Sequence, residues 1–203
     1  VYYSGTIDRC KSQKVLDLCS APGGKAMQMI SMGAKVTCVD SSRQRVQLMK
    51  NNFTRLKFNP EIINKDILDW TSTKTFKYIL LDAPCSATGT IRKHPDLLFL
   101  KNKNELGKYI KTQQALLEKA LSLLSTQGQL IYCVCSVQKN EGVKQIDRIL
   151  KKFKNIRREP IKKSEFTQFE KYITKDGDIQ TFPYMKKPGG MDGFFISRLY
   201  KEY

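Results

Sequence analysis

Two short segments hold the residues best suited to covalent chemistry. One reads Asp82-Ala83-Pro84-Cys85-Ser86 and the other Cys133-Val134-Cys135-Ser136. Each belongs to an apolar run that predicts a buried strand, Tyr78-Ile79-Leu80-Leu81-Asp82 and Gln129-Leu130-Ile131-Tyr132-Cys133-Val134. A free cysteine is usually a buried small hydrophobe, which is the reading for Cys10, Cys38 and Cys133. Just beyond the carboxyl end of a parallel strand, where ligands bind, a thiol can be held as a thiolate by nearby positive charge and act as a nucleophile. If the two strands are neighbours, Cys85 and Cys135 converge on one pocket.

A third segment, Cys19-Ser20-Ala21-Pro22-Gly23-Gly24-Lys25, follows the short strand Val15–Leu18. Paired glycines let backbone approach a ligand, and the helix expected from Gly24 to Met32 offers free N–H groups at its start. A nucleoside-triphosphate loop would need Gly at Cys19 and Ser or Thr at Ala26. Taken alone, the glycines also fit a plain structural turn. Acids then close the following strands: Asp40 after Lys35–Val39, Asp66 after the weak strand Ile62-Ile63, and Asp82. An acid about 20 residues past such a turn typically accepts hydrogen bonds from a ribose, and Asp40 stands at that distance. A single Asp at a strand end is ordinarily a cap or turn former. Three in series beside a glycine turn indicate a nucleoside, and without a phosphate clamp they point to S-adenosylmethionine rather than a dinucleotide.

The elements that must position these residues alternate. Ser41 or Ser42 caps a helix striped by Val46, Met49, Phe53 and Leu56. A later helix carries Ile110, Leu117, Leu121 and Leu124 and is closed by Gly128; another is striped by Val143, Ile146 and Ile149. Gly193–Leu199 reads as a last strand. Strands alternating with helices imply a doubly wound, mostly parallel sheet. The polar stretch Ala83–Glu105 is long for a connection, and such loops usually carry function.

The 203 residues, 40% of them hydrophobic, suit one domain. The net charge of +17 favours a polyanionic partner such as nucleic acid and, by self-repulsion, a monomer. The run Lys151–Lys163 fits either a solvated edge or a phosphate-facing surface. No apolar run is long enough for a membrane helix, and no signal peptide is visible after Val1. Six cysteines without Cys-x-x-Cys spacing, and His94 as the only histidine, argue against a metal site and for free thiols in a reduced, cytoplasmic compartment.

Together, Leu18–Lys25, Asp82–Ser86, Ile91-Arg92-Lys93-His94-Pro95-Asp96 and Cys135-Ser136-Val137, in this order, resemble the Sun/Fmu family of RNA 5-methylcytosine methyltransferases, in particular its bacterial branch acting on small-subunit ribosomal RNA. The resemblance covers Val15 to Leu150 and the ending Asp192–Phe195. It implies a Rossmann-like α/β fold with a seven-stranded sheet and an antiparallel C-terminal strand. It implies S-adenosyl-L-methionine as cofactor, with Cys19, Ser20, Ala21, Pro22, Gly23, Gly24 and Lys25 around its methionine end. By the same resemblance Asp40 holds the ribose, Asp66 the adenine, Arg45 belongs to the cofactor set, and Asp82 lies between cofactor and base. Cys135 matches the nucleophile and Cys85 the second cysteine, which aids product release. Arg92, Lys93 and His94 fall on the substrate-side loop; a lone His is more often structural or a phosphate contact than a base.

After Cys135-Ser136-Val137 this chain departs from the family pattern, reading Gln138-Lys139-Asn140-Glu141-Gly142, with only Glu141 in place. The family carries RNA-binding segments ahead of the glycine turn. Only 18 residues precede Cys19 here, so residues 1–203 are expected to be a single catalytic domain. Two other readings are a non-catalytic RNA-binding ribosome assembly factor and a DNA cytosine-5 methyltransferase, whose nucleophile would be Cys85.

Overall fold

The computed structural model describes residues 12–97, 103–165, 167–185 and 190–203. Cys10 and part of the long polar connection therefore lie outside the described residues. Eight strands form one sheet: β1 (Lys14–Leu18), β2 (Lys35–Asp40), β3 (Glu61–Asn64), β4 (Phe76–Asp82), β5 (Leu124–Val134), β6 (Ile156–Arg158), β7 (Ile179–Gln180) and β8 (Phe195–Lys201). The order is β3-β2-β1-β4-β5-β8-β6, with the two-residue β7 beside β8. The first five pair in parallel, whereas β8 runs antiparallel to β5, β6 and β7. This is the expected doubly wound sheet, seven strands along its path, with the antiparallel strand near the C-terminus.

Among the described residues four α-helices cover the sheet: α1 (Gly24–Ser31), α2 (Arg43–Arg55), α3 (Lys103–Leu123) and α4 (Val143–Lys152). Ser42 caps α2, its Oγ accepting the Arg45 N–H at 3.3 Å. The stripe Val46, Met49 and Phe53 packs with Ala26 and Met29 of α1 against Val15, Val36 and Cys38 of the sheet. On the other face Leu117, Ala120 and Leu121 of α3 and Ile146 and Ile149 of α4 meet Leu81, Leu130, Tyr132 and Leu199. Apolar residues on both faces are what a central parallel strand requires.

Three local expectations differ. Leu56 is not part of the α2 stripe but its C-cap, 38% exposed, because the chain leaves the helix there and turns through Lys57 at φ 57°. Leu124 opens β5 rather than ending α3, and Gly128 lies inside that strand. Leu124 is fully buried and pairs with Phe76; the ladder then bulges around Gln127 (φ 56°) and resumes at Gln129 opposite Tyr78. Burial and ladder pairing outweigh helix continuation there. The last strand begins at Phe195, two residues later than expected.

The basic run forms an edge of the sheet. Arg158 faces Asp147, Asp176 and Asp178, Arg157 lies over the Tyr200 ring and pairs with Glu202, and Lys152 and Lys163 pair with Glu118 and Glu170. Arg158 is largely enclosed, while Lys152, Arg157 and Lys163 make their pairs at the solvated surface.

Leu130 is wholly buried between Ile79 on β4 and Leu199 on β8. Leu130→Ala is expected to lower unfolding free energy by ~2–5 kcal/mol. The control Leu48→Ala, at a 52% exposed position, should change it by less than about 0.5 kcal/mol. Urea titration of both variants is the check.

Candidate active site

The turn after β1 is an unusual piece of backbone. Cys19 has φ 58°, the Ala21–Pro22 peptide is cis, and Gly23 caps α1 at φ 96°. A side chain at Gly23 would be strained by that φ and would meet Met49 Cγ at 2.8 Å, so glycine is required. Asp40 holds the turn from β2: its Oδ2 accepts the Ala21 N–H at 3.0 Å and its Oδ1 the Ser42 N–H at 2.9 Å. The Arg45 guanidinium donates to the Ala21 carbonyl. Gly24, by contrast, faces open space.

Beside this turn lies a cleft of about 430 Å³. Cys19, Ser20, Ala21, Pro22, Gly24, Lys25, Arg45 and Asp82 line it, together with the apolar sheet face of Val15, Leu80, Ile131 and Ile196. Asp82 and Lys25 form an ion pair across it. Two lining residues escaped the sequence reading. Asp17 is buried; its Oδ2 accepts the Ser20 hydroxyl at 2.6 Å, while Oδ1 has no partner. Burial above all pushes its carboxyl up to about 7. Cys133 is buried as expected, yet it lines the cleft and its thiol donates to Asp82 Oδ1 at 3.3 Å. A position one strand-pleat from Cys135 was the available signal for Cys133; an acid inside an apolar strand was the signal for Asp17.

The two predicted thiols do converge. Cys85 and Cys135 are half-buried, and their sulfurs stand 3.4 Å apart, just past Asp82 and Cys133 at the ends of adjacent strands. The shared hydrogen bond separates their acidities. Accepting from Cys85 lowers the Cys135 pKa, while donating to Cys135, reinforced by burial, raises that of Cys85. Of the two, Cys135 is the thiol whose deprotonation the contact favours.

Both turns are fastened to one carboxylate. Glu141 is completely buried. Its Oε1 accepts the Ser86 N–H and the Gln113 amide, both at 2.9 Å; its Oε2 accepts the hydroxyls of Ser86 and Ser136, both at 2.5 Å. Ser86 follows Cys85 and Ser136 follows Cys135. Sequence reading saw Glu141 only as a remnant of a motif.

The remaining predicted residues lie elsewhere. Asp40 sits behind the cleft wall, with a lone pair on each oxygen beyond its backbone contacts. Asp66 is exposed beyond β3, its Oδ1 accepting the Leu68 N–H at 2.9 Å. Arg92, Lys93 and His94 are exposed after the short 3-10 turn Thr88–Thr90. Lys93 pairs with Asp192 at 2.6 Å and Arg92 approaches the same carboxylate at 3.9 Å. None of these five residues lines the cleft.

The family described as 16S rRNA methyltransferase RsmB/F matches residues 6–200. Ribosomal RNA small subunit methyltransferase B of Photorhabdus laumondii is 34% identical over 194 residues, which are 93% of this chain and 42% of that protein. The chain thus spans less than half the length of that relative. Among solved structures, a methyltransferase homologue from Pyrococcus horikoshii superposes with a TM-score of 0.77 at 23% identity, over 98% of this chain and 65% of that one. NSun6 from Pyrococcus horikoshii with SFG gives 0.77 at 22% identity, over 99% and 52%.

The thiol pair is open to direct test. Iodoacetamide labelling across pH, read by peptide mapping, should modify Cys135 with a midpoint below the ~8.5 of an ordinary thiol and spare Cys85. Cys85→Ala should move the Cys135 midpoint upward, and Cys85→Ser, which keeps a donor, should leave it low. Glu141→Ala strands four donors. At ~1–3 kcal/mol for each buried unmatched group, it should cost at least about 3 kcal/mol in urea unfolding.

Proposed function

We propose that this chain, which belongs to the 16S rRNA methyltransferase RsmB/F family, is a catalytic domain that transfers a methyl group from S-adenosyl-L-methionine to carbon 5 of a cytosine in RNA, with small-subunit ribosomal RNA as substrate. The observation that carries this reading is the hydrogen-bonded pair Cys135 and Cys85, sulfurs 3.4 Å apart beside Asp82 and the cleft.

The residues present fit the cofactor. The unpartnered Oδ1 of Asp17, buried in the cleft lining, suits an ammonium group. The open face at Gly24 and the unpaired N–H groups of the first turn of α1 suit a carboxylate. Asp40, which the resemblance assigns to the ribose, is buried behind the wall that Arg45 lines and holds the Ala21 N–H there. Asp66, which the resemblance assigns to the adenine, lies further along this edge of the sheet. When bound, S-adenosyl-L-methionine supplies a methyl group made electrophilic by its sulfonium.

Carbon 5 of cytosine is a weak nucleophile. Addition of the Cys135 thiolate to carbon 6 forms an S–C bond and turns the ring into an enamine-like species whose carbon 5 can attack the methyl group. Loss of the carbon 5 proton and cleavage of the S–C bond restore the ring and return the thiolate. Cys85 lowers the basicity of Cys135 by donating to it, which assists that departure. In this reading Asp82, paired with Lys25, takes the base edge. The base has to leave its stack to reach such a site, so an unpaired or splayed cytosine is the substrate. Among the described residues no helix is long and apolar enough to cross a membrane. A monomer in the cytoplasm suits this work and the charge of +17.

Incubating Cys85→Ala and Cys135→Ala proteins with small-subunit ribosomal RNA and S-adenosyl-L-methionine, followed by a denaturing gel, tests the assignment. A covalent RNA adduct should accumulate with Cys85→Ala and be absent with Cys135→Ala. The reverse pattern would make Cys85 the nucleophile, as in DNA-type chemistry. No adduct from either, with cofactor binding intact, would favour a fold that binds RNA without turnover.

A further inference from the structure

Tyr184 is the most exposed large hydrophobic residue described, at 73%. Its ring lies parallel to that of Phe182, with centroids 5.3 Å apart and planes inclined by 14°. An exposed aromatic ring held flat against a second one is an unusual way to leave apolar surface in water. It buries little, so core packing does not account for it.

The pair stands on a segment fixed against the candidate site. Thr181 Oγ accepts the Phe194 N–H and donates to the Asp192 carbonyl, both at 2.8 Å, and the Thr181 N–H donates to the Phe194 carbonyl at 2.9 Å. The Met185 N–H closes the turn onto the Phe182 carbonyl at 3.0 Å. Pro183, between Phe182 and Tyr184 in the chain, abuts Gly193. Gly193 in turn packs on Val137, two residues past Cys135, and on Gly89 of the 3-10 turn before Arg92, where its N–H donates to the Gly89 carbonyl at 2.7 Å. Phe194 lines the cleft itself. The same segment carries Asp192, which gathers the exposed cations Lys93 and Arg92. An aromatic face, two cations on one carboxylate and the turn after Cys135 are thus linked through Thr181, Pro183 and Gly193.

From this juxtaposition we propose that Tyr184, backed by Phe182, is a stacking platform for an unpaired RNA base flanking the target cytosine, with Lys93 and Arg92 beside it for the phosphates. Base stacking on an aromatic ring is tolerant of sequence and works on single strands. It suits a site that must hold splayed nucleotides while one of them reacts. A chain of +17 selects a polyanion over an apolar protein loop for this face. The inference rests on the RNA reading above.

The test uses short single-stranded oligoribonucleotides carrying 2-aminopurine, whose fluorescence is quenched by stacking. Wild-type protein should quench the probe. Tyr184→Ala should abolish the quench and weaken binding by about 5- to 150-fold, the effect of losing one base–aromatic stack. Tyr184→Phe should preserve both. Lys93→Ala should weaken binding and flatten its salt dependence while leaving the quench. Unchanged quench and affinity in Tyr184→Ala would overturn the proposal. So would equal losses in Tyr184→Phe, which would mark a hydroxyl contact, or loss of S-adenosyl-L-methionine binding by Tyr184→Ala, which would mark a folding role. Wild-type protein that binds cofactor but no RNA would overturn the RNA reading itself, and this inference with it.

Discussion

The architecture of the site depends on a carboxylate that never meets solvent. Glu141 is held by dipoles: a backbone N–H, an amide and two hydroxyls. Burying a charge in this way is costly unless its lone pairs are filled. The residues that fill them are the ones following the two cysteines, so the turn after β4 and the turn after β5 are set by one atom group. The network extends outward. Tyr132 donates to the Glu141 carbonyl at 2.6 Å, and Gln113 also reaches the Pro84 carbonyl at 2.9 Å. Sheet and helix α3 therefore share a single reference point, and a sulfur–sulfur contact can be held without a covalent bond.

Much of this was legible in the sequence because strand ends advertise themselves. An apolar run followed by Asp-Ala-Pro-Cys or by Cys-Ser marks both the element and its functional terminus, and parallel order then makes neighbours of Cys85 and Cys135. What stayed hidden depends on partners distant in the chain. Glu141 gains its meaning from Ser86 and Gln113, 55 and 28 residues away. Asp17 looks like a misplaced acid in an apolar strand until the cleft beside it is known. Leu124 has helical spacing with Leu117 and Leu121, and only pairing with Phe76 moves it into β5. Periodicity reports which face is apolar; it does not report which partner claims the backbone.

Charge shows a similar division. The total of +17 is a property of the whole molecule, but the densest basic run serves partly as internal fastening. Arg158 is largely enclosed by three carboxylates, and Arg157 lies flat on Tyr200. Composition alone left that run open between a solvated edge and a phosphate-facing surface, because it does not show which carboxylates lie beside it. The cations that line the cleft, Lys25 and Arg45, are fewer, and Lys93 and Arg92 outside it share Asp192.

The two glycines that cross at Gly89 and Gly193 join the middle of the chain to its final strand. A Cβ on Gly89 would run into the Gly193 carbonyl, so the backbones themselves are the joint. Synthesis delivers the chain in one direction, and both cysteine turns are made well before Gly193. A nascent polypeptide emerging from a translating ribosome would carry the thiol pair while the wall formed by Phe194 and β8 is still missing. The cleft is whole only when β8 lies against β5, so the pocket and the thiol pair are built from separate stretches of the chain that those two glycines bring together.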